Sequence, residues 1–245
     1  MSSASPPASN GWTESAEAWI ADMGEHGDFG RRYVLDPALR LRLEGRGFKR
    51  ALDVGCGEGR MCRLLSSLGV EAVGLDPTEP LLDAARKRDP AGAYVLGQGE
   101  ALPFPDQDFD LVLSCMSLID IPDYAAAIAE MARVLKPGGT LLVANLNSFK
   151  SAQVQDSGLA SLAAPPGIRI DRYLESRSTW EEWRGIAIRN WHRPLSAYMA
   201  AFLGQGLQLT HFDEPEPVEG ADPRRAPRYR RAPWYLILEW RKPQG

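Results

Sequence analysis

Apolar residues fall in short runs along the first 150 positions, and each run stops at an acidic or glycine-rich break. Ala51, Leu52, Asp53 and Val54 read as the end of a buried strand, and the following RMCRLLSSLG has the period of an amphipathic helix closed by Gly69. The same reading places strands near 50–54, 71–75, 93–96, 109–115, 139–145, 207–213 and 234–241, with helices alternating between the first five. Such alternation argues for an α/β fold, a parallel sheet covered on both faces. Ahead of it, WTESAEAWIADM reads as a helix capped by Thr13, with Trp19 and Ile20 inside it, and a second helix runs roughly from Arg32 to Glu44. Residues 146–194 lack a strong period. There Trp180 and Trp183, three apart, suggest a turn or helix with a small aromatic core of its own.

The break after the first strand carries the most chemistry. ALDVGCGEG, residues 51–59, places Asp53 before Gly55, Gly57 and Gly59, a strand, glycine turn and helix start that together suit a nucleotide-like ligand. A dinucleotide fingerprint needs a third glycine where this chain has Arg60, so that motif is not met. Asp53 and Glu58 put two carboxylates beside the turn, which favours a ligand with ammonium and sulfonium groups over a pyrophosphate. In VGLDPTEPLLDAARKR the second strand stops at Asp76, about 20 positions on, where an acid can accept hydrogen bonds from both ribose hydroxyls. A helix N-cap is the structural alternative for Asp76.

These segments, LDVGCGEGR (52–60), GLDPTEPLL (74–82), GEALPFPDQDFDLVLS (99–114) and ARVLKPGGTLLV (132–143), resemble the class I S-adenosylmethionine-dependent methyltransferases. The resemblance is to the ubiquinone/menaquinone-biosynthesis-like, methyltransferase type 11 group, which acts on small molecules. It implies a Rossmann-like, seven-stranded, mostly parallel sheet with helices on both faces and an antiparallel C-terminal strand, WYLILEW. It also implies S-adenosylmethionine as cofactor and S-adenosylhomocysteine as product. Asp53, Gly55, Cys56 and Gly57 would hold the methionine part, Asp76 and Pro77 the ribose end, Gly99 to Ala101 the adenine edge and Ser114 the far side of the methionine. Gly99 stands where the family usually has Asp, and Glu100 follows it. The N-terminal helix is expected to close over the cofactor, with Arg32, chosen over its neighbour Arg31, pairing with the methionine carboxylate.

At 245 residues, 44% of them hydrophobic, the chain suffices for one domain with a full core. The expected organisation is a disordered tail at 1–10 and one methyltransferase domain over 11–245, with a helical cap at 11–48 and an acceptor-site wall or lid at 146–194. The net charge of −4 gives no general attraction to nucleic acid, and the basic run PRRAPRYRR at 223–231 reads as a solvated loop. Three cysteines fit neither a disulfide framework nor a zinc site, and no metal cluster stands out. No run approaches the ~20 apolar residues of a membrane span, and MSSASPPASN lacks the features of a signal peptide. A cytoplasmic enzyme is the resulting expectation.

The acceptor side is read from fewer signals. His192, in NWHRPLSAY, is a candidate base, since an imidazole with pKa about 6.5 can take a proton from a hydroxyl. A structural histidine is the alternative. Asp120, in SLIDIPD just past the fourth strand, is the second catalytic candidate, or a cap for the helix beginning near Asp123. Trp19, Tyr33, Asn145, Tyr173, Trp191 and Arg193 complete the expected acceptor wall. The function that follows is methyl transfer by direct displacement to a small-molecule acceptor, on oxygen before nitrogen or carbon. The competing readings are an RNA or protein methyltransferase and a non-catalytic S-adenosylmethionine sensor or scaffold.

Overall fold

A strand central to a covered parallel sheet must be apolar on both faces, and β1 (Arg50–Val54) is buried from Ala51 onward. In the computed structural model, which describes residues 9–154 and 167–244, β1 pairs in parallel with β2 (Glu71–Asp76) and with β4 (Phe109–Cys115). β3 (Ala93–Leu96) extends the sheet beyond β2, and β5 (Leu135–Leu146) extends it beyond β4. The last strand, β9 (Tyr235–Arg241), slots antiparallel between β5 and β8 (Gln208–Asp213). The order is therefore β3-β2-β1-β4-β5-β9-β8, a seven-stranded Rossmann-like sheet with one antiparallel strand. The tail expected at 1–10 lies outside the described residues apart from Ser9 and Asn10.

Alternate residues of each strand serve opposite faces. Leu52, Val54 and Val112 join one core with Ile128 and Met131 of α5 (Tyr124–Val134) and Phe202 of α7 (Leu195–Gly204). Ala51, Leu111 and Leu113 join the other with Leu39 of α2 (Asp36–Leu43) and Leu65 of α3 (Arg60–Ser67). α4 (Glu79–Arg88) follows β2. With both faces covered, the carboxyl ends of β1, β2 and β4 are left as the crevice where such sheets bind ligands.

The outlying elements depart from expectation. α1 (Trp12–Met23) begins one residue before the predicted cap Thr13, behind Gly11 in a left-handed conformation, φ 84°. The second helix opens with a π-helical turn, Arg31–Leu35, before α2. The region around Trp180 and Trp183 is not helical: β6 (Arg177–Trp183) and β7 (Ile186–His192) form an antiparallel hairpin. Arg184 and Gly185 turn it with φ 47° and 82°, as a two-residue hairpin loop requires. Residues three apart in a strand face opposite ways. Trp183 accordingly meets Trp19 of α1 at 6.2 Å between ring centroids, while Trp180 lies half exposed under Arg189 at 5.3 Å.

Candidate functional site

The glycine turn after β1 opens into a cavity of about 910 Å³, at the upper end of the ~300–1,000 Å³ usual for ligand sites. Gly55 has φ 77°, and a Cβ there would run into Ser117, whose hydroxyl donates to the Val54 carbonyl at 2.6 Å. Gly57, at φ 54°, has open space where a side chain would stand, so its main chain is bare to the cavity. Its N–H donates to Asp76 Oδ2 at 2.8 Å, and the Thr78 N–H donates to Oδ1 at 2.9 Å. Asp76 is thus fixed by backbone while lining the cavity, and the N-cap position of α4 falls to Thr78. Burial raises the Asp76 pKa against those two hydrogen bonds.

Asp53 is buried on the same wall. The Cys62 thiol donates to its Oδ2 at 3.7 Å, and Oδ1 has no partner among the described residues. Burial, reinforced by the charges of Asp76 and Glu58 and opposed by the Cys62 hydrogen bond and by Arg60, pushes its pKa up to about 7. A buried acceptor left open beside a cavity suits a cationic donor. Glu58 does not add a second free charge, as the spacing suggested. It is ion-paired with Arg63, at 2.6 Å, and with Arg88.

Pro77, Gly99 and Glu100 also line the cavity. At Gly99 a Cβ would meet Ile121 Cδ1 at 3.0 Å and Val54 Cγ1 at 3.2 Å, so a larger residue there would need its neighbours to give way. Ser114 and Ala101 are not among the lining residues. Ser114 is fully buried, with its hydroxyl 2.7 Å from that of Ser117, and it supports the residue that does line the site. Arg32 is likewise displaced: its guanidinium lies over the Tyr33 ring, exposed, whereas Arg31 faces the cavity, 4.8 Å above the Trp19 ring and 3.4 Å from Asp28.

Farther along the wall, Trp19 is in place, joined by Trp12, Trp183 and Trp234. Asp120 lines the cavity, as Trp12 does, and accepts from Asn190 Nδ2 at 2.5 Å. Burial outweighs the lowering influence of Asn190 and the Trp12 indole and raises its pKa to about 8. It does not cap α5, because Asp123 takes that role by accepting the Ala126 N–H.

His192 is corrected by geometry. It is buried off the cavity, with Nε2 2.8 Å from the Tyr173 carbonyl and Nδ1 2.7 Å from the Ser151 hydroxyl. A carbonyl can only accept, so Nε2 carries the proton and Nδ1 accepts from Ser151. Burial lowers its pKa, and no nitrogen is left for an acceptor. Arg193 is also buried, donating to the carbonyls of Leu118, Ile121 and Pro122 at 2.6–2.9 Å. It braces the loop that presents Asp120. Tyr33, Asn145, Tyr173 and Trp191 do not line the cavity either. Tyr173 stacks on Phe149 at 5.2 Å, and the Trp191 N–H donates to the Ile119 carbonyl at 2.6 Å.

Sequence reasoning missed Trp12, Ser117, Asn190, Trp234 and Tyr235 as lining residues. The positive φ that Gly11 requires is the one local signal pointing at Trp12; Asn190 carries none. The basic run is engaged with its own surroundings: Arg224 pairs with Asp222, Arg230 with Glu216, and Arg225 and Arg228 stack over Phe29 and Trp234.

Comparison with known proteins bears on the family and the fold. The family described as "Methyltransferase domain" matches residues 52–143. The malonyl-[acyl-carrier protein] O-methyltransferase of Salmonella typhimurium is 34% identical over 184 residues, 72% of this chain and 71% of that protein. The demethylmenaquinone methyltransferase of Corynebacterium glutamicum is 36% identical over 120 residues, 49% of this chain and 51% of that protein. The crystal structure of an S-adenosylmethionine-dependent methyltransferase from Mesorhizobium loti matches with a TM-score of 0.74 and 25% identity, covering 89% of this chain and 100% of that one.

Proposed function

The chain belongs to the class I S-adenosylmethionine-dependent methyltransferases, and we propose that it methylates an oxygen of a small-molecule acceptor, with Asp120 taking the proton. The observation that carries this reading is the Asp120 carboxyl itself, half-buried on the wall of the cavity that Asp53 and Asp76 also line. The residues present fit the cofactor: Asp53 Oδ1 is an open acceptor for its ammonium, and bare Gly57 leaves the main chain accessible. Asp76 keeps lone pairs for two ribose hydroxyls beyond those its backbone donors use. Arg31, in place of Arg32, answers the methionine carboxylate, and Gly99 with Glu100 borders the adenine. When bound, the cofactor supplies an electrophilic methyl on a positively charged sulfur.

Asp120 is suited to a hydroxyl. A phenol with pKa about 10 lies about six units above an ordinary carboxylate, and a base raised to about 8 closes most of that gap. Trp12, Trp19, Trp183 and Trp234 line the same cavity, and alignment within such a wall can supply up to ~10 kcal/mol of the barrier. The Salmonella relative is named as an O-methyltransferase, which supports oxygen as the methyl's destination here. Among the described residues no helix is long and apolar enough to cross a membrane. Turnover against matched phenols, carboxylates and amines, with the methyl located by NMR in each product, tests the proposal. Exclusive N- or C-methylation would reject it, turnover of RNA or protein alone would favour the macromolecular reading, and cofactor binding without any turnover would favour a sensor.

A further inference from the structure

Trp12 and Asn190 lie 178 positions apart by their numbers, yet both line the cavity with Asp120. The first turn of α1 brings Trp12 there by docking on β7. The Arg189 N–H donates to the Asn10 carbonyl at 2.9 Å, and Ser15 Oγ donates to the Ala187 carbonyl at 3.0 Å while accepting the Ala187 N–H at 2.9 Å. Residues 10–15 thereby satisfy backbone groups on the edge of β7 that β6 leaves unpaired. Gly11 permits the approach, since a Cβ there would overlap the Ala187 carbonyl and press on the Trp180 ring. The Trp12 ring is then held edge-on to Trp19 at 4.9 Å, and Trp19 in turn meets Trp183 at 6.2 Å. On β7 itself, Ile188 and Asn190 share the face that lines the cavity. Asn190 Nδ2 reaches Asp120 Oδ1 from that face.

We propose that Asn190, hydrogen-bonded to Asp120, and Trp12, on the same cavity wall, are positioning residues for that carboxylate, and that they make the docking of residues 10–15 onto β7 part of the reaction site. The inference rests on Asp120 as the proton acceptor. Each donor favours the ionised carboxylate, as does the charge of Arg31, while burial and the charge of Asp76 oppose it; Tyr198 also feels the Asp120 charge. Loss of either donor therefore raises the pH at which Asp120 ionises. Undocking of the N-terminal segment has the same effect as deleting the indole.

The test follows the indole N–H resonances of the seven tryptophans and the Asn190 side-chain amide by NMR against pH in the full chain, with Trp12→Phe and Asn190→Ala for assignment and perturbation. In the wild type the Trp12 indole and the Asn190 amide shift together with a midpoint of about 8, and both become flat with pH in Asp120→Asn. In Asn190→Ala the Trp12 midpoint moves up by about one pH unit, about tenfold in ionised fraction below it. Trp12→Phe keeps the ring and gives the same shift through the Asn190 amide, so a folding failure in one variant leaves the other to decide. A pH-flat Trp12 indole in the wild type, or a midpoint unmoved by both substitutions, overturns the inference. Turnover of 2-naphthol by Asp120→Asn is scored separately: wild-type turnover with the expected titrations removes the proton-acceptor role alone, and lost turnover with flat titrations removes the positioning role alone.

Discussion

The two ends of the cavity are built in different ways. The cofactor end comes from short stretches, β1 with its glycine turn and β2 with Asp76, whose strands pair directly in the sheet. Asp76 at this end is fixed by the backbone of Gly57 and Thr78. The acceptor end draws on α1, the loop after β4, the hairpin and the start of β9, and its carboxylate is fixed by a side chain, Asn190. A backbone cradle tolerates change in the residues around it, whereas a side-chain cradle changes with each of them. One scaffold can thus keep a common cofactor and alter its acceptor.

The contrast is broken most directly at its two carboxylates. Asp120→Asn should lower turnover by about 10²–10⁴-fold with cofactor affinity, measured calorimetrically with S-adenosylhomocysteine, left near wild type; equal losses in both would erase the division between the ends. Asp76→Ala should have the complementary effect, weakening S-adenosylhomocysteine by about 10²-fold or more, since two hydrogen bonds to a charged group are each worth ~1.5–3 kcal/mol. Unchanged affinity would remove Asp76 from the ribose role. Between the ends stands Arg31: Arg31→Ala should weaken the same ligand by about tenfold, a single partly exposed ion pair, while Arg32→Ala changes it little.

The smallest effect is a proton. Asp53, with a pKa of about 7, is half protonated near neutrality, and a cation seated on its open oxygen favours the ionised form. Binding of S-adenosylmethionine at pH 7 should therefore release up to about half a proton, seen as a dependence of the calorimetric enthalpy on buffer ionisation, and affinity should rise with pH through about 7. The stability of the free chain runs the other way. Asp53 and Asp120 have folded pKa values above the usual carboxylate range, so the stability they contribute is complete below pH ~4 and is lost as pH rises towards 7 and 8. A thermal midpoint of the free chain that rises from pH 6 to 9 would contradict this.

What the sequence made legible divides along the same line. β1, β3 and β4 fall where the apolar runs placed them, β1 and β4 because they are buried on the sheet, and β3 as a short, half-exposed strand at its edge. β5 begins at Leu135 instead of near 139, because Pro137 and Gly138 read as a turn although Leu135 already pairs with Phe109 across an irregularity. The hairpin stayed hidden because Trp180 and Trp183 mimic a helical spacing while serving opposite faces. Arg32 was preferred over Arg31 in a segment that is in fact a π-helical turn, which has more residues per turn than an α-helix and so moves the inward-facing position. His192 could not be placed from its neighbours at all: Ser151 and Tyr173, which occupy its nitrogens, reach it only through the fold.

The insertion of β9 between β5 and β8 has a consequence for the order in which this chain is made. Synthesis runs from the N-terminus, so β1 to β5 and the glycine turn leave the ribosome well before β9 does. Until β9 is made, the outer edge of β5 has no neighbour, β8 has no place in the sheet, and Trp234 and Tyr235 are missing from the cavity wall. Cofactor-binding surface can exist on the nascent chain, but the acceptor chamber closes only after translation has passed the final strand.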